Sequence, residues 1–211
     1  MSAHLNFYFG PMNGGKSLRL LSNAYNLEDN GIHIMTLKPS LDTRDGEGVI
    51  RSRAGMERKC VMFDRDANLY KAIKAYHNVL KAQFEVLRWV IIDEAQFLTC
   101  EQVDQLSDVV DFLGINVMCF GLKTDFQSKL FEGSKRLLEI ADHIEEVKST
   151  CECGERKAMI NARLNENGEV ITSGPQVMIG GNETYKPLCR KCWKIRMKNN
   201  ILKSINEDEG S

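Results

Sequence analysis

The eight residues Gly10-Pro11-Met12-Asn13-Gly14-Gly15-Lys16-Ser17 constrain this chain more than any other stretch of it. They follow Leu5-Asn6-Phe7-Tyr8-Phe9, a short β-prone run, and lead from Ser17 into helical spacing, with Leu18, Leu21, Ala24 and Tyr25 expected on one side. The order strand, glycine-rich turn, Lys-Ser, helix fits G-x-x-x-x-G-K-[ST] in full, a loop that closes around phosphate. Glycines let backbone N–H groups point inward and come close to the anion. Lys16 would carry a charge to the β- and γ-phosphates, Ser17 would offer its hydroxyl to Mg²⁺, and the helix would present its positive end.

The rest of the first two thirds alternates in the way such a loop needs. Asn30-Gly31 ends the first helix, and Ile32 to Leu37 reads as a second strand. Pro39 to Gly55 is polar and reads as a long loop, and Asp66 to Gln83 as a helix. Val86 to Ile92 is a buried strand that ends on Asp93-Glu94. Thr99 caps a helix to Phe112 with Gln102 as its capping-box partner, and Ile115 to Phe120 is a further buried strand stopped by Gly121. Strands alternating with helices make residues 1–148 an α/β nucleotide-binding domain with a largely parallel sheet. Residues 149–204 have a different texture and too little apolar content for a large core, and the polar, acidic tail 205–211 is expected to fray.

Two further groups carry chemistry. A phosphate loop alone under-holds Mg²⁺, so an acid at the end of a buried strand is expected, and Asp93 meets that need. Glu94 beside it could activate water in an ATPase or deprotonate an acceptor hydroxyl in a kinase, and the pair alone does not separate the two. Of seven cysteines, four form two tight pairs, Cys151-x-Cys153 and Cys189-x-x-Cys192. An odd count argues against a disulfide framework, and the pairs look like two knuckles of a closed, structural Zn²⁺ site, with Gly154 suiting the tight turn. With 28 Lys+Arg against 29 Asp+Glu the chain lacks the basic surplus of a duplex-binding protein, so no nucleic-acid partner is expected. The basic run around Arg190 to Lys203 reads as a solvated helix face. No apolar run is long enough for a membrane span, and the first residues lack the pattern of a signal peptide, so a cytoplasmic setting is expected.

Taken in order, these motifs resemble the type II thymidine kinases. The resemblance rests on Gly10-Pro11-Met12 through Gly15-Lys16-Ser17, Leu41-Asp42-Thr43-Arg44, Asp93-Glu94-Ala95-Gln96-Phe97, Gly121-Leu122 with Asp125-Phe126-Gln127, and Ile179-Gly180-Gly181-Asn182-Glu183-Thr184-Tyr185, together with the cysteine pairs. It implies a RecA-like P-loop core with a zinc-bearing lasso domain, and transfer of the ATP γ-phosphoryl group to the 5′-hydroxyl of thymidine, giving dTMP in nucleoside salvage. Deoxyuridine would be a second substrate, dTTP a feedback inhibitor, and the assembly a homotetramer. Residue by residue, Lys16 and Ser17 would serve phosphate and Mg²⁺, Asp42 and Asp93 the metal shell, Arg44 the transferring phosphoryl group, and Glu94 the base. Met12, Phe97, Leu122, Phe126, Phe131 and Tyr185 would line the nucleoside pocket, with backbone from Val177 to Ile179 on the thymine edge. Asn13-Gly14 and Leu18 depart from the family's usual P-loop residues without removing a catalytic group.

Two rivals remain at this level. One is an ATPase acting on nucleic acid, which would turn over ATP without nucleoside. The other is a zinc-dependent binding module, which would bind ATP with almost no turnover.

Overall fold

A computed structural model describes residues 2–42, 46–176 and 184–208, with side chains as far as Asn199. Its elements run β1 (Leu5–Phe9), α1 (Lys16–Asp29), β2 (His33–Pro39), β3 (Val49–Arg51), β4 (Glu57–Lys59), β5 (Val61–Phe63), α2 (Leu69–Ala82), β6 (Leu87–Ile92), α3 (Cys100–Leu113), β7 (Asn116–Gly121), α4 (Glu132–Ile140), β8 (His143–Glu146), β9 (Ile160–Leu164), β10 (Thr184–Leu188) and α5 (Arg190–Asp208). The chain divides into two compact units. The larger comprises Met1–Phe9, Gly15–Lys123 and Phe131–Val147; the smaller comprises Gly10–Gly14, Thr124–Leu130 and Lys148–Ser211. The smaller unit thus draws in the first half of the phosphate loop and a short hairpin, a division that sequence order does not announce.

In the larger unit six strands form one sheet in the order β5-β2-β6-β7-β1-β8, and every pairing is parallel. A parallel sheet is covered on both faces, so its strands read as continuous apolar runs in which alternate residues serve opposite faces. Val90 and Ile92 of β6 and Val117 and Cys119 of β7 pack with Ile73 and Leu80 of α2 and Val103, Leu106 and Val110 of α3. Ile91, Met118 and Phe120 face the other way, onto Leu20, Leu21 and Ala24 of α1. Ligands of such sheets bind outside the carboxyl ends of the strands. Those are the ends from which the phosphate loop and Asp93 emerge.

Several sequence expectations need correcting here. The buried face of α1 is Leu20, Leu21 and Ala24, whereas Leu18 and Tyr25 are 40% and 62% exposed. The apolar stripe is centred on 20 and 24, and Leu18 and Tyr25, seven apart, lie along its margin. The stretch from Pro39 to Gly55 is not all loop: β3 pairs antiparallel with β4, and its Ile50 is fully buried against α1. Helix α2 starts at Leu69 rather than Asp66, because Asn68 caps it by accepting from the Lys71 N–H at 2.9 Å. Helix α5 runs from Arg190 to Asp208, and no Gly or Pro interrupts it. The Thr99–Gln102 capping box of α3 is present as expected. Gln102 also donates to the carbonyls of Asp64, Arg65 and Ala67, tying the approach to α2 onto α3.

In the smaller unit β9 and β10 pair antiparallel, and their apolar side packs Ala162, Leu164, Val170 and Leu188 with Cys151 and Cys189. Among the described residues no helix is long and apolar enough to cross a membrane.

Candidate functional site

The phosphate loop turns on three residues. Asn13 and Gly15 take left-handed backbone, φ 61° and 83°. Asparagine is among the few side chains that tolerate this region, so its presence in the loop is physically cheap. The Gly14 N–H donates to the Pro11 carbonyl at 3.2 Å, and a Cβ on Gly14 would lie 3.0 Å from that oxygen. The cap of α1 is Gly15, which brings no side chain to the first turn and leaves the helix end to an anion. Lys16 begins the helix at 8% exposure.

At the end of β6 the two adjacent carboxylates are turned to different environments. Asp93 is 2% exposed; its Oδ1 accepts from the Glu94 N–H at 3.0 Å, and its Oδ2 lies 3.4 Å from Ser17 Oγ. Burial, then the neighbouring Glu94 carboxylate, pushes its pKa up to about 7, against the opposing pull of the Glu94 N–H, Lys38 and Lys16. Such a carboxylate is short of positive charge. A loose approach of a hydroxyl and a carboxylate oxygen is the donor set of a hard, oxygen-seeking cation such as Mg²⁺. Glu94 leaves the strand in left-handed backbone, φ 51°, ψ 38°, which swings its side chain out of the strand's alternation. Gln96 then holds it: Nε2 donates to Glu94 Oε2, while Oε1 accepts from the Leu122 N–H at 2.9 Å.

Asp42 is buried with a partner that the sequence reading overlooked. Lys38 Nζ lies 3.1 Å from Asp42 Oδ2, with the two side chains 0% and 2% exposed, and donates to the Val49 carbonyl at 3.3 Å. A lysine at the end of an apolar strand, four residues before an aspartate, was the available signal. Arg44, Val177 and Ile179, also expected at the site, lie outside the described residues.

The residues expected around a nucleoside fall in both units. In the larger, Phe97 and Phe131 meet edge-on, with ring centroids 6.0 Å apart at 80°, and Leu122 is half-buried. Gly133 lets this corner close, since a Cβ there would stand 2.6 Å from the Leu98 carbonyl. In the smaller, Phe126 is 2% exposed beneath the Arg163 guanidinium, 5.0 Å from its ring centre, while Met12 and Tyr185 are half-buried. Residues 172–176, which lead toward Val177, are held at three points. Gln127 donates to the Thr172 carbonyl, Arg163 to the Pro175 carbonyl, and Gln176 to Asp125 Oδ2, at 3.0, 3.1 and 3.0 Å. Asp125 entered the sequence reading only within the motif Asp125-Phe126-Gln127, without a role of its own, and Asn161 and Arg163 were given none.

The four cysteines converge. The sulfurs of Cys151, Cys153, Cys189 and Cys192 all lie within 4.8 Å of one another. A tetrahedron of thiolates ~2.3 Å from one ion spaces its sulfurs by about 3.8 Å, so little adjustment is needed. Gly154 takes φ 71° to close the first knuckle, and its N–H reaches the Cys151 carbonyl at 2.9 Å. In the second, the Cys192 N–H donates to Cys189 Sγ at 3.4 Å and draws the Cys189 pKa down. The crowding falls on Cys192: the Cys189 thiol, then burial, pushes its pKa up to about 12. Metal-free thiols this close compete for protons, and a cation would relieve all four. Glu152, between the first two, pairs with Lys186 and Arg196, which places Arg196 of the basic run in an ion pair.

The chain is similar to known proteins over most of its length. The model of the family described as thymidine kinase matches residues 3–193. A thymidine kinase of Mannheimia succiniciproducens is 48% identical over 188 residues, 89% of this chain and 93% of that protein. One from Rhodopirellula baltica is 46% identical, covering 91% and 88%, and one from Haemophilus influenzae 46% identical, covering 91% and 96%. Among solved structures, a DnaB-like replicative helicase overlays with a TM-score of 0.47 at 14% identity, over 68% of this chain and 47% of that one. By the extent of its family match and its identity to these relatives, the chain belongs to the thymidine kinase family.

Proposed function

We propose that this chain transfers the γ-phosphoryl group of ATP to the 5′-hydroxyl of thymidine, using the residues at the carboxyl ends of β1 and β6. The observation that carries the reading is the conjunction at Asp93-Glu94. A buried carboxylate stands 3.4 Å from the Ser17 hydroxyl, and the next carboxylate is turned aside and held by Gln96. A hydrolase and a kinase share the first half of that arrangement; the family match selects the kinase.

In this reading Lys16 neutralises the β- and γ-phosphates and the glycines of the loop admit backbone N–H donors to them. Ser17, Asp93 and Asp42 are the groups that would hold Mg²⁺, which when bound neutralises charge on the phosphate oxygens. Arg44 serves the transferring phosphoryl group. Glu94 accepts the proton of the 5′-hydroxyl as the new O–P bond forms and the bond from phosphorus to the ADP oxygen breaks. Phe97, Leu122 and Phe131 of the larger unit, Met12, Phe126 and Tyr185 of the smaller, and backbone from Val177 to Ile179 are assigned to the nucleoside. Aromatic faces suit a base, and main-chain groups suit a pyrimidine edge. The four cysteines would hold Zn²⁺ in a closed shell with no position left for substrate, a structural role. Family resemblance alone supports a homotetramer, feedback inhibition by dTTP, use of deoxyuridine and a cytoplasmic setting.

Release of ADP measured with and without thymidine tests the reading. Turnover that depends on thymidine supports it, and turnover without nucleoside returns the chain to an ATPase. Purine deoxynucleosides should be at least ~100-fold worse in kcat/KM, the scale a pocket with unpaired polar groups enforces. Comparable values for deoxyadenosine would overturn the nucleoside assignment.

A further inference from the structure

Asn161 lies on β9, opposite Pro187 of β10, and is 3% exposed. Both ends of its amide are engaged. Oδ1 accepts from the Met12 N–H at 2.7 Å, and Nδ2 donates to the Thr124 carbonyl at 3.2 Å. The orientation is therefore not interchangeable: flipping the amide would set an N–H₂ against an N–H and an oxygen against a carbonyl. All three residues belong to the smaller unit. Met12 is the third residue of the phosphate loop and stands four residues before Lys16.

Within the loop around Met12, the Gly14 N–H ties back to the Pro11 carbonyl at 3.2 Å. Gly10, Gly14 and Gly15 leave its backbone soft, and Asn13 and Gly15 hold left-handed conformations that an unsupported chain would readily leave. A short, part-buried hydrogen bond at Met12 removes that freedom within the loop. It also means that the Met12 N–H is directed at the protein rather than at phosphate.

We propose that Asn161 is a positioning residue for phosphoryl transfer: its amide pins the phosphate loop at Met12 and registers it with the hairpin 124–130. Met12 is assigned to the nucleoside and is joined through three peptide links to Gly15 and then to Lys16. A shift at Met12 therefore displaces the two substrates relative to each other more than it weakens either. Misplacing reacting atoms by ~1 Å can cost ~10²-fold in rate. The signature is thus a fall in kcat with both KM values nearly unchanged.

This inference rests on the kinase reading above, and its test separates the two. Asn161→Leu removes both polar ends at similar volume, and Asn161→Thr restores one short acceptor. Steady-state kinetics for ATP and for thymidine, with thermal melts of each protein, give the readout. The expected result is a kcat ~10–100-fold down for Asn161→Leu, both KM values within about threefold of wild type, and partial recovery of kcat in Asn161→Thr. The proposal is overturned if a folded Asn161→Leu keeps wild-type kcat, or if activity merely tracks the folded fraction. If Asn161→Leu does not fold, Asn161→Thr alone decides by the same split between kcat and KM. A wild-type protein with no thymidine-dependent ADP release would instead overturn the kinase reading.

Discussion

Replacing Lys38 by methionine tests the physics of the site most severely. Its ammonium and the Asp42 carboxylate lie 3.1 Å apart with side chains 0% and 2% exposed, so neither charge has solvent to fall back on. Removing one partner of such a buried pair takes away its neighbour's closest opposite charge, and breaking a buried pair in this way costs ~3–5 kcal/mol. For a chain of this size each kcal/mol moves the melting temperature by roughly 2–4 °C, so Lys38→Met should melt about 6–20 °C lower. That takes a large share of the ~5–15 kcal/mol by which domains are ordinarily stable. The double variant Lys38→Met/Asp42→Leu removes both charges and should recover most of the loss, since apolar replacement of a whole buried pair is commonly neutral or better. Lys38 is also one of the charges that hold the Asp93 pKa down, so its loss should raise that pKa further. Urea melts of wild type, single and double variants supply the numbers. A single variant less than ~1 kcal/mol below wild type, or a double variant no better than the single, would refute the reasoning. The restored double variant should remain a poor kinase, because it lacks the Asp42 carboxylate proposed for the metal shell.

Three further outcomes follow from the same geometry. Glu94→Gln keeps the shape but loses the basic oxygen, so kcat should fall ~10²–10⁴-fold with ATP affinity near wild type; retention of a tenth of kcat or more would mean that Glu94 is not the base. Purified protein should carry about one Zn²⁺ per chain, measured by elemental analysis, and Cys151→Ser should lower that content and raise the thymidine KM. Gly133→Ala forces a Cβ to 2.6 Å from the Leu98 carbonyl and 2.7 Å from that of Ala95. It should destabilise by ~1–3 kcal/mol and raise the thymidine KM by moving Phe97; an unchanged urea midpoint would show that the corner yields freely.

The fold of the larger unit was legible because its signals are local. A strand run into Gly10 to Ser17, a second run into Asp93, and a Thr99–Gln102 box each declare themselves within a few residues. Strand β3 was missed because three residues, Val49-Ile50-Arg51, carry no period, and only tertiary burial of Ile50 makes them a strand. The cysteine cluster was legible from spacing, since knuckles bring ligands together locally. The supporting residues were not. Lys38 is informative only once Asp42 is known to be buried beside it, Gln96 only once Glu94 turns aside, and Asn161 only once Met12 is found 149 positions away. Motifs report what touches a ligand, whereas the residues that hold those groups in place depend on contacts distant in sequence.

Asp93 and Glu94 show how much of the chemistry lies in the backbone between two identical functional groups. Asp93 continues the sheet's geometry and is carried inward, where burial raises its proton affinity and positive charge is needed to offset it. Were Glu94 to continue as a strand it would alternate to the sheet's other face, among apolar side chains. The left-handed step at φ 51° costs a non-glycine residue of order 1–3 kcal/mol. Its compensation is visible in the hydrogen bond from Gln96, whose other end is fixed to the Leu122 N–H. Gly121 is required for that arrangement, because a Cβ there would lie 2.9 Å from both the Gln96 N and its Oε1. The strained turn thus separates the roles proposed for the two carboxylates, one drawn toward a cation and the other held apart as a base, and Gln96 two residues on, with Gly121 at the end of the neighbouring strand β7, keeps them separate.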